Sequence, residues 1–148
     1  MNMDIDKSQT SDQSAAVAGP QDTKAKGATI LFIEDDPLLL KMYKTKFENE
    51  GFQVLTAEDG EEGLLMASGH SISLMILDLM LPKLSGLDML AKYRAEPNGK
   101  NVPVVVLTNL THEEEIKRAK ELGVKEFIVK TDFTPSEVVL KVKELLGK

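Results

Sequence analysis

Apolar residues in this chain come in short dense runs, separated by longer stretches in which they recur every three or four positions. From Ala28 onward the dense runs are Thr29–Ile33, Gln53–Ala57, Leu74–Leu77, 102–107 and Glu126–Val129, each of strand length and rich in Ile, Val, Leu or Phe. The stretches between them open on side chains that can accept a hydrogen bond from a first helical turn: Asp36 before Pro37, Asp59 with Glu62, Ser85 with Asp88, Thr111 with Glu114, and Thr134 before Pro135 with Glu137. Five strands each followed by a helix are therefore predicted. Leu39, Met42, Tyr43 and Phe47 form one apolar face of the first helix before Gly51 ends it, and Val138, Val139, Val142, Leu145 and Leu146 form one on the last.

The helix over 112–122 differs from the others. Ile116, Ala119 and Leu122 are nearly all it can bury, while Glu113, Glu114, Glu115, Lys117, Arg118 and Lys120 belong in water, with Glu113 and Lys117 spaced to pair. Such an element is expected to be weakly held and therefore mobile or used as an interface. Repeated strand–helix units imply a parallel sheet with right-handed crossovers and helices on both faces, and in such sheets ligands sit beyond the carboxyl ends of the strands, where strand order reverses.

Residues 1–27 break this pattern. They are rich in Ser, Gln, Asp, Lys, Ala and Gly, with few large apolar side chains, and are expected to form a disordered tail without the apolar centre of a signal peptide. Residues 28–148 are then one domain. Across the 148 residues, 24 acidic and 18 basic side chains give a formal charge of -6, which argues against nucleic acid as a direct ligand. The absence of cysteine excludes disulfides and thiolate chemistry, and His70 and His112 are too sparse for a zinc site. No apolar run approaches a membrane span of roughly 18 residues, so a cytoplasmic protein is expected.

The candidate chemistry lies at the strand ends. The third predicted strand runs through Leu74, Met75, Ile76 and Leu77 into Asp78, and a carboxylate at the lip of a buried strand needs a partner or a task. The first strand ends in Glu34, Asp35 and Asp36, the fourth in Thr108, the fifth in Lys130. Asp36 is accounted for as the cap before Pro37. Glu34, Asp35 and Asp78 crowd one crevice and call for a cation, and an all-oxygen set favours Mg²⁺. Lys130 and Thr108 supply a charge and a hydroxyl able to receive an anionic group delivered to Asp78, an inventory suited to phosphoryl transfer onto a carboxylate. No Gly-rich phosphate loop follows the first strand and no Ser-His-Asp or Cys-His set exists, so a nucleotide enzyme or nucleophilic hydrolase is disfavoured.

Residues 30–36 (Ile-Leu-Phe-Ile-Glu-Asp-Asp), 74–82 with Ser85-Gly86, 104–108 (Val-Val-Val-Leu-Thr) and 127–130 (Phe-Ile-Val-Lys) together resemble the receiver domain of two-component response regulators. The resemblance spans 28–148 and implies a flavodoxin-like (βα)5 fold with strand order 2-1-3-4-5. It implies that Glu34 and Asp35, with Asp78 and the Met80 backbone carbonyl, hold Mg²⁺. Asp78 would accept phosphate from a sensor histidine kinase or phosphotransfer protein, Thr108 and Lys130 would contact the phosphoryl oxygens, and Phe127 would be the aromatic that turns inward as Thr108 moves. Signalling would pass through the face of the fourth helix, fifth strand and fifth helix to a downstream protein, with a phosphorylation-dependent dimer left open. In the same resemblance the side chains two positions beyond Asp78 and Thr108, here the apolar Met80 and Leu110, flank the water that removes the phosphate.

Two positions depart from the family pattern. Thr131 stands where a proline joined by a cis bond usually follows the lysine, and Asn109 where a small residue usually follows the threonine. The reading is a phospho-accepting signalling domain, stand-alone or part of a longer protein, rather than an enzyme acting on a separate substrate. The alternatives are a pseudo-receiver that binds partners without phosphate, and a small aspartyl phosphatase, which would need an acid where Met80 stands.

Overall fold

In the computed structural model, which describes residues 27–147, the order is β1 (Thr29–Ile33), α1 (Pro37–Asn49), β2 (Gln53–Ala57), α2 (Gly60–Gly69), β3 (Leu74–Leu77), α3 (Gly86–Arg94), β4 (Val104–Thr108), α4 (Glu113–Glu121), β5 (Glu126–Val129) and α5 (Pro135–Leu145). The tail expected over 1–27 lies outside the described residues except for Gly27. Local chemistry accounts for the boundaries. Asp36 accepts from the amides of Leu38 and Leu39 and is followed by Pro37 at the first helical position, so α1 starts there. It ends where Gly51 takes φ 95°, the amide of Phe52 returns to the Phe47 carbonyl at 3.1 Å, and the two rings meet edge-on with centroids 5.9 Å apart. Thr134 and Glu137 close a reciprocal capping box on α5.

The five strands form one parallel sheet in the order β2-β1-β3-β4-β5. The reversal of order falls between β1 and β3. Alternation along the strands sorts the core into two layers: Ile30, Phe32, Leu74, Ile76, Val105 and Leu107 pack under α1 and α5, while Leu31, Ile33, Met75, Leu77, Val104 and Val106 pack under α2, α3 and α4. Every residue of β3 is fully buried, and each such Leu, Ile or Met contributes roughly 1.5–3 kcal/mol of transfer free energy. Among the described residues no helix is long and apolar enough to cross a membrane.

Three expectations need correction. The fourth strand begins at Val104 rather than 102, because Pro103 has no amide to donate and the Val102 carbonyl is taken by Arg94 at 2.8 Å; it also extends to Thr108, which pairs with Val129. The fourth helix is preceded by His112 rather than Thr111, and no side chain caps it. Its first turn instead carries Glu113, Glu114 and Glu115, whose charges suit the positive end of the helix dipole. Glu113 and Lys117 do not pair; the nearby ion pair joins Arg118 to Asp88 on α3 at 2.9 Å. Of Ile116, Ala119 and Leu122, the residues expected to be buried here, Ala119 is buried and the other two are half-buried, so the apolar face of α4 is as thin as the composition predicted.

Candidate functional site

Sheet register brings the acids together. Ile33 lies opposite Leu77, so the next residues, Glu34 and Asp78, face one another where β1 and β3 end, roughly 4.8 Å apart along the hydrogen-bonding direction. Both backbones stay in the ladder for one more step, with the Glu34 amide on the Ala57 carbonyl at 3.0 Å and the Asp78 amide on the Ile33 carbonyl at 3.1 Å. A glycine beyond Asp78 is required by space alone: a Cβ on Gly86 would lie 2.3 Å from the Asp78 carbonyl oxygen, so the loop after the acid folds flat against it.

Asp78 is 5% exposed and fully engaged. Thr108 Oγ1 donates to its Oδ1 at 2.7 Å, the Met80 amide donates to the same oxygen at 3.1 Å, and Lys130 Nζ donates to Oδ2 at 2.8 Å. Thr108 in turn accepts from the Leu110 amide at 3.2 Å. The Lys130 ammonium also stands 2.7 Å from Glu34 Oε1, but at an angle poor for a directed bond. This contact is an ion pair, and it leaves Oε1 a buried oxygen short of a hydrogen-bond donor. Glu34 Oε2 accepts from the Asp36 amide at 3.0 Å.

Burial pushes the Glu34 carboxyl above its ordinary range, outweighing the lowering by Lys130 and the Asp36 amide, with the Asp78 charge raising it slightly further. For Lys130 desolvation is the largest single influence and lowers its pKa, but the hydrogen bond to Asp78, the close contact with Glu34 and the charges of both carboxylates together overcome it, so the ammonium is held charged. Tyr43, on the buried face of α1, senses both groups; burial raises its phenol to about 12 against the opposing Lys130 charge, with the Glu34 charge the smallest influence.

Asp35 is exposed at the mouth, and one carboxylate oxygen from each of Glu34, Asp35 and Asp78 can be chosen so that all lie within 4.8 Å of one another. The set fits a hard divalent cation: all donors are oxygens, two of the three residues are buried, and Oε1 of Glu34 lacks a donor. Asp36 stays outside, committed to α1. The Met80 side chain points outward, 58% exposed, and it is the amide of this residue that touches Asp78, a contact the sequence reading did not foresee. Phe127 is half-buried, opposite Val106 and against the layer under α3 and α4, away from the polar network. Asn109 is exposed. No cis peptide occurs among the described residues, and Lys130–Asp132 form a single 3-10 turn that delivers the ammonium to Asp78 without the proline.

The buried acids and the lysine sit at the switch point of a β2-β1-β3-β4-β5 doubly wound sheet, the place where such sheets bind ligands. Residues 30–143 match the response regulator receiver domain, and the chain belongs to that family. The transcriptional regulatory protein SrrA of Staphylococcus aureus is 34% identical over 119 residues, which cover 80% of this chain and 48% of the relative. The chain thus spans about half the length of the curated relatives it matches. Among solved structures, a CheY-like receiver domain protein of Methanospirillum hungatei is 27% identical with a TM-score of 0.75, over 81% of this chain and 94% of that one. The chemotaxis protein CheY4 of Vibrio cholerae is 26% identical with a TM-score of 0.73, over 79% and 97%. Members of the family are phospho-accepting signalling domains that take phosphoryl groups from histidine kinases and bind Mg²⁺ at an acidic site.

Proposed function

We propose that this chain is a phosphorylation-switched receiver, with 28–148 as the receiver domain, in which Asp78 accepts a phosphoryl group from a sensor histidine kinase or phosphotransfer protein. The observation that carries the reading is the buried Asp78 carboxylate with Thr108, Lys130 and the Met80 amide around it and two further acids beside it. An Asp78 carboxylate oxygen attacks phosphorus, the bond from phosphorus to the donor's histidine nitrogen breaks, and an acyl phosphate remains. Lys130, charged at neutral pH, and the Thr108 hydroxyl turn from Asp78 to the phosphoryl oxygens. Glu34, Asp35, Asp78 and the Met80 carbonyl would hold Mg²⁺, which when bound neutralises charge on the transferring group. Incubation with acetyl phosphate and Mg²⁺ should add one phosphoryl group to the intact protein, seen by mass; a protein that stays unmodified excludes this role.

The acids have separable tasks. Asp35→Asn should weaken Mg²⁺ binding while leaving stability unchanged. Asp36→Ala should cost ~1 kcal/mol of stability through the lost cap and leave Mg²⁺ affinity nearly intact. A metal titration with the reverse pattern removes Asp35 from the ligand set.

Output follows from the packing. When Thr108 moves to the phosphoryl group it leaves Asp78, and the space it vacates at the end of β4 borders the layer that holds Phe127 and α4. The weakly packed α4 needs little differential energy to shift, and with β5 and α5 it forms the surface read by a downstream protein. Hydrogen exchange with and without beryllium fluoride as phosphoryl mimic should differ over 108–133; equal protection there rejects this output face.

The signal should also last. Hydrolysis of an acyl phosphate needs a water oriented in line, and the exposed Met80 and half-buried Leu110 have no polar atom to orient one. Met80→Asn with Leu110→Gln should shorten the phosphorylated lifetime by about tenfold or more, the scale of a positioned polar group. A double variant no faster than the parent in a phosphate-release assay releases these positions from that role.

A further inference from the structure

Helix α4 has too little apolar surface to account for its fixed position, and polar groups of α3 reach across to it at two levels. Asp88, in the first turn of α3, meets Arg118 in the middle of α4 at 2.9 Å. Both side chains are about half exposed, so this pair is the weaker tie. Arg94, the last residue of α3, is partly buried and makes the stronger one. Its Nε donates to the Leu122 carbonyl at 2.8 Å and its Nη2 to the Gly123 carbonyl at 3.4 Å, both at the carboxyl end of α4, while Nη1 donates to the carbonyls of Gly99 at 2.9 Å and Val102 at 2.8 Å in the connection to β4.

No carboxylate pairs with Arg94 among the described residues; the carbonyl dipoles and the negative end of the α4 dipole are what balance its charge. Only the guanidinium fork can serve both loops at once, since a lysine offers one point of attachment. The other end of α3 is fixed to the acceptor. Ser85 caps it, the Gly86 amide bonds the Leu79 carbonyl at 3.1 Å, and Gly86 leaves no room for a Cβ against the backbone of Asp78.

We propose that Arg94 is a strap by which α3 holds α4 in its resting position, giving the acceptor loop a route to α4 that does not pass through Thr108. The strap governs the helix that faces the partner, and this rests on the reading of α4 as part of the output face. Release of Leu122 and Gly123 from Arg94 frees the carboxyl end of α4, so the phosphorylated state and loss of the strap act on one equilibrium.

Hydrogen exchange on the full chain tests this. In unphosphorylated Arg94→Met, protection of the amides over 119–124 should fall by about tenfold or more while β1 and β3 stay as in the parent. Unchanged protection over 119–124, or an equal fall in β1 and β3, overturns the strap. Arg94→Gln repeats the test with a polar side chain, and global unfolding of both variants overturns it too, because Arg94 would then hold the whole fold. With Mg²⁺ and beryllium fluoride the parent should lose protection over 119–124 and Arg94→Met should lose no more than it already has. A further loss in the variant as large as the parent's overturns the shared equilibrium. No response in the parent instead rejects α4 as an output element and leaves the unphosphorylated comparison to decide the strap.

Discussion

Asp78→Asn is expected to abolish phosphoryl incorporation from acetyl phosphate and Mg²⁺ and leave the fold intact. The amide nearly matches the carboxylate in shape, so its oxygen can still accept from Thr108 and the Met80 amide, which now sit at 2.7 and 3.1 Å from Oδ1. What disappears is the nucleophile, since an amide oxygen at neutral pH does not form an acyl phosphate. The neighbouring acids are poor substitutes: Glu34 is 1% exposed with Oε2 bonded to the Asp36 amide, and it is Asp78, not Asp35, that Thr108 and Lys130 hydrogen-bond. Stability should change little, because the lost Lys130 contact is offset by the end of repulsion between two buried carboxylates. Intact-mass measurement after equal incubation should show the parent modified and the variant unmodified. A variant that labels as well as the parent would falsify the assignment of Asp78.

Much of this arrangement was legible in the sequence because it depends on strand ends. Four of the five strands and four of the five helix starts follow from apolar runs and capping residues, and a parallel sheet puts the carboxyl ends of all its strands on one edge. Glu34, Asp78 and Lys130 also share parity with the layer under α1 and α5, through Phe32, Ile76 and Ile128, which is why they meet.

The misses come from interactions without period. The start of β4 was misplaced because Pro103 interrupts donation within an apolar run, and the start of α4 because Thr111 has the right chemistry one residue early. The Met80 amide and Arg94 act through backbone groups in loops, whose positions no spacing rule gives.

Replacing Lys130 by Met should be the most destabilising single change at the site. The ammonium, 21% exposed, lies 2.7 Å from Glu34 and 2.8 Å from Asp78, which are themselves almost wholly buried. Removing the cation leaves two like charges facing each other out of water, and losing one partner of a buried ion pair costs roughly 3–5 kcal/mol. Methionine keeps most of the side-chain volume, so little of the loss comes from packing.

The pH dependence identifies the cause. Burial already holds the Glu34 carboxyl above its ordinary 4.5, and loss of Lys130 removes most of what lowered it, leaving only the Asp36 amide. A carboxyl that binds its proton more tightly folded than unfolded adds stability as pH falls from its folded value toward its ordinary one. The deficit of Lys130→Met in urea unfolding should therefore be largest near neutral pH and shrink as pH falls toward 4.5. The parent's own stabilisation by Lys130 runs the other way: it is present in full below the ordinary 10.5 and is lost only as pH rises past it through the raised folded value. Lys130→Met combined with Asp78→Asn removes one of the two stranded charges and should recover part of the loss. A Lys130→Met protein as stable as the parent at neutral pH, or a deficit that does not change with pH, would mean that Lys130 does not compensate the buried acids.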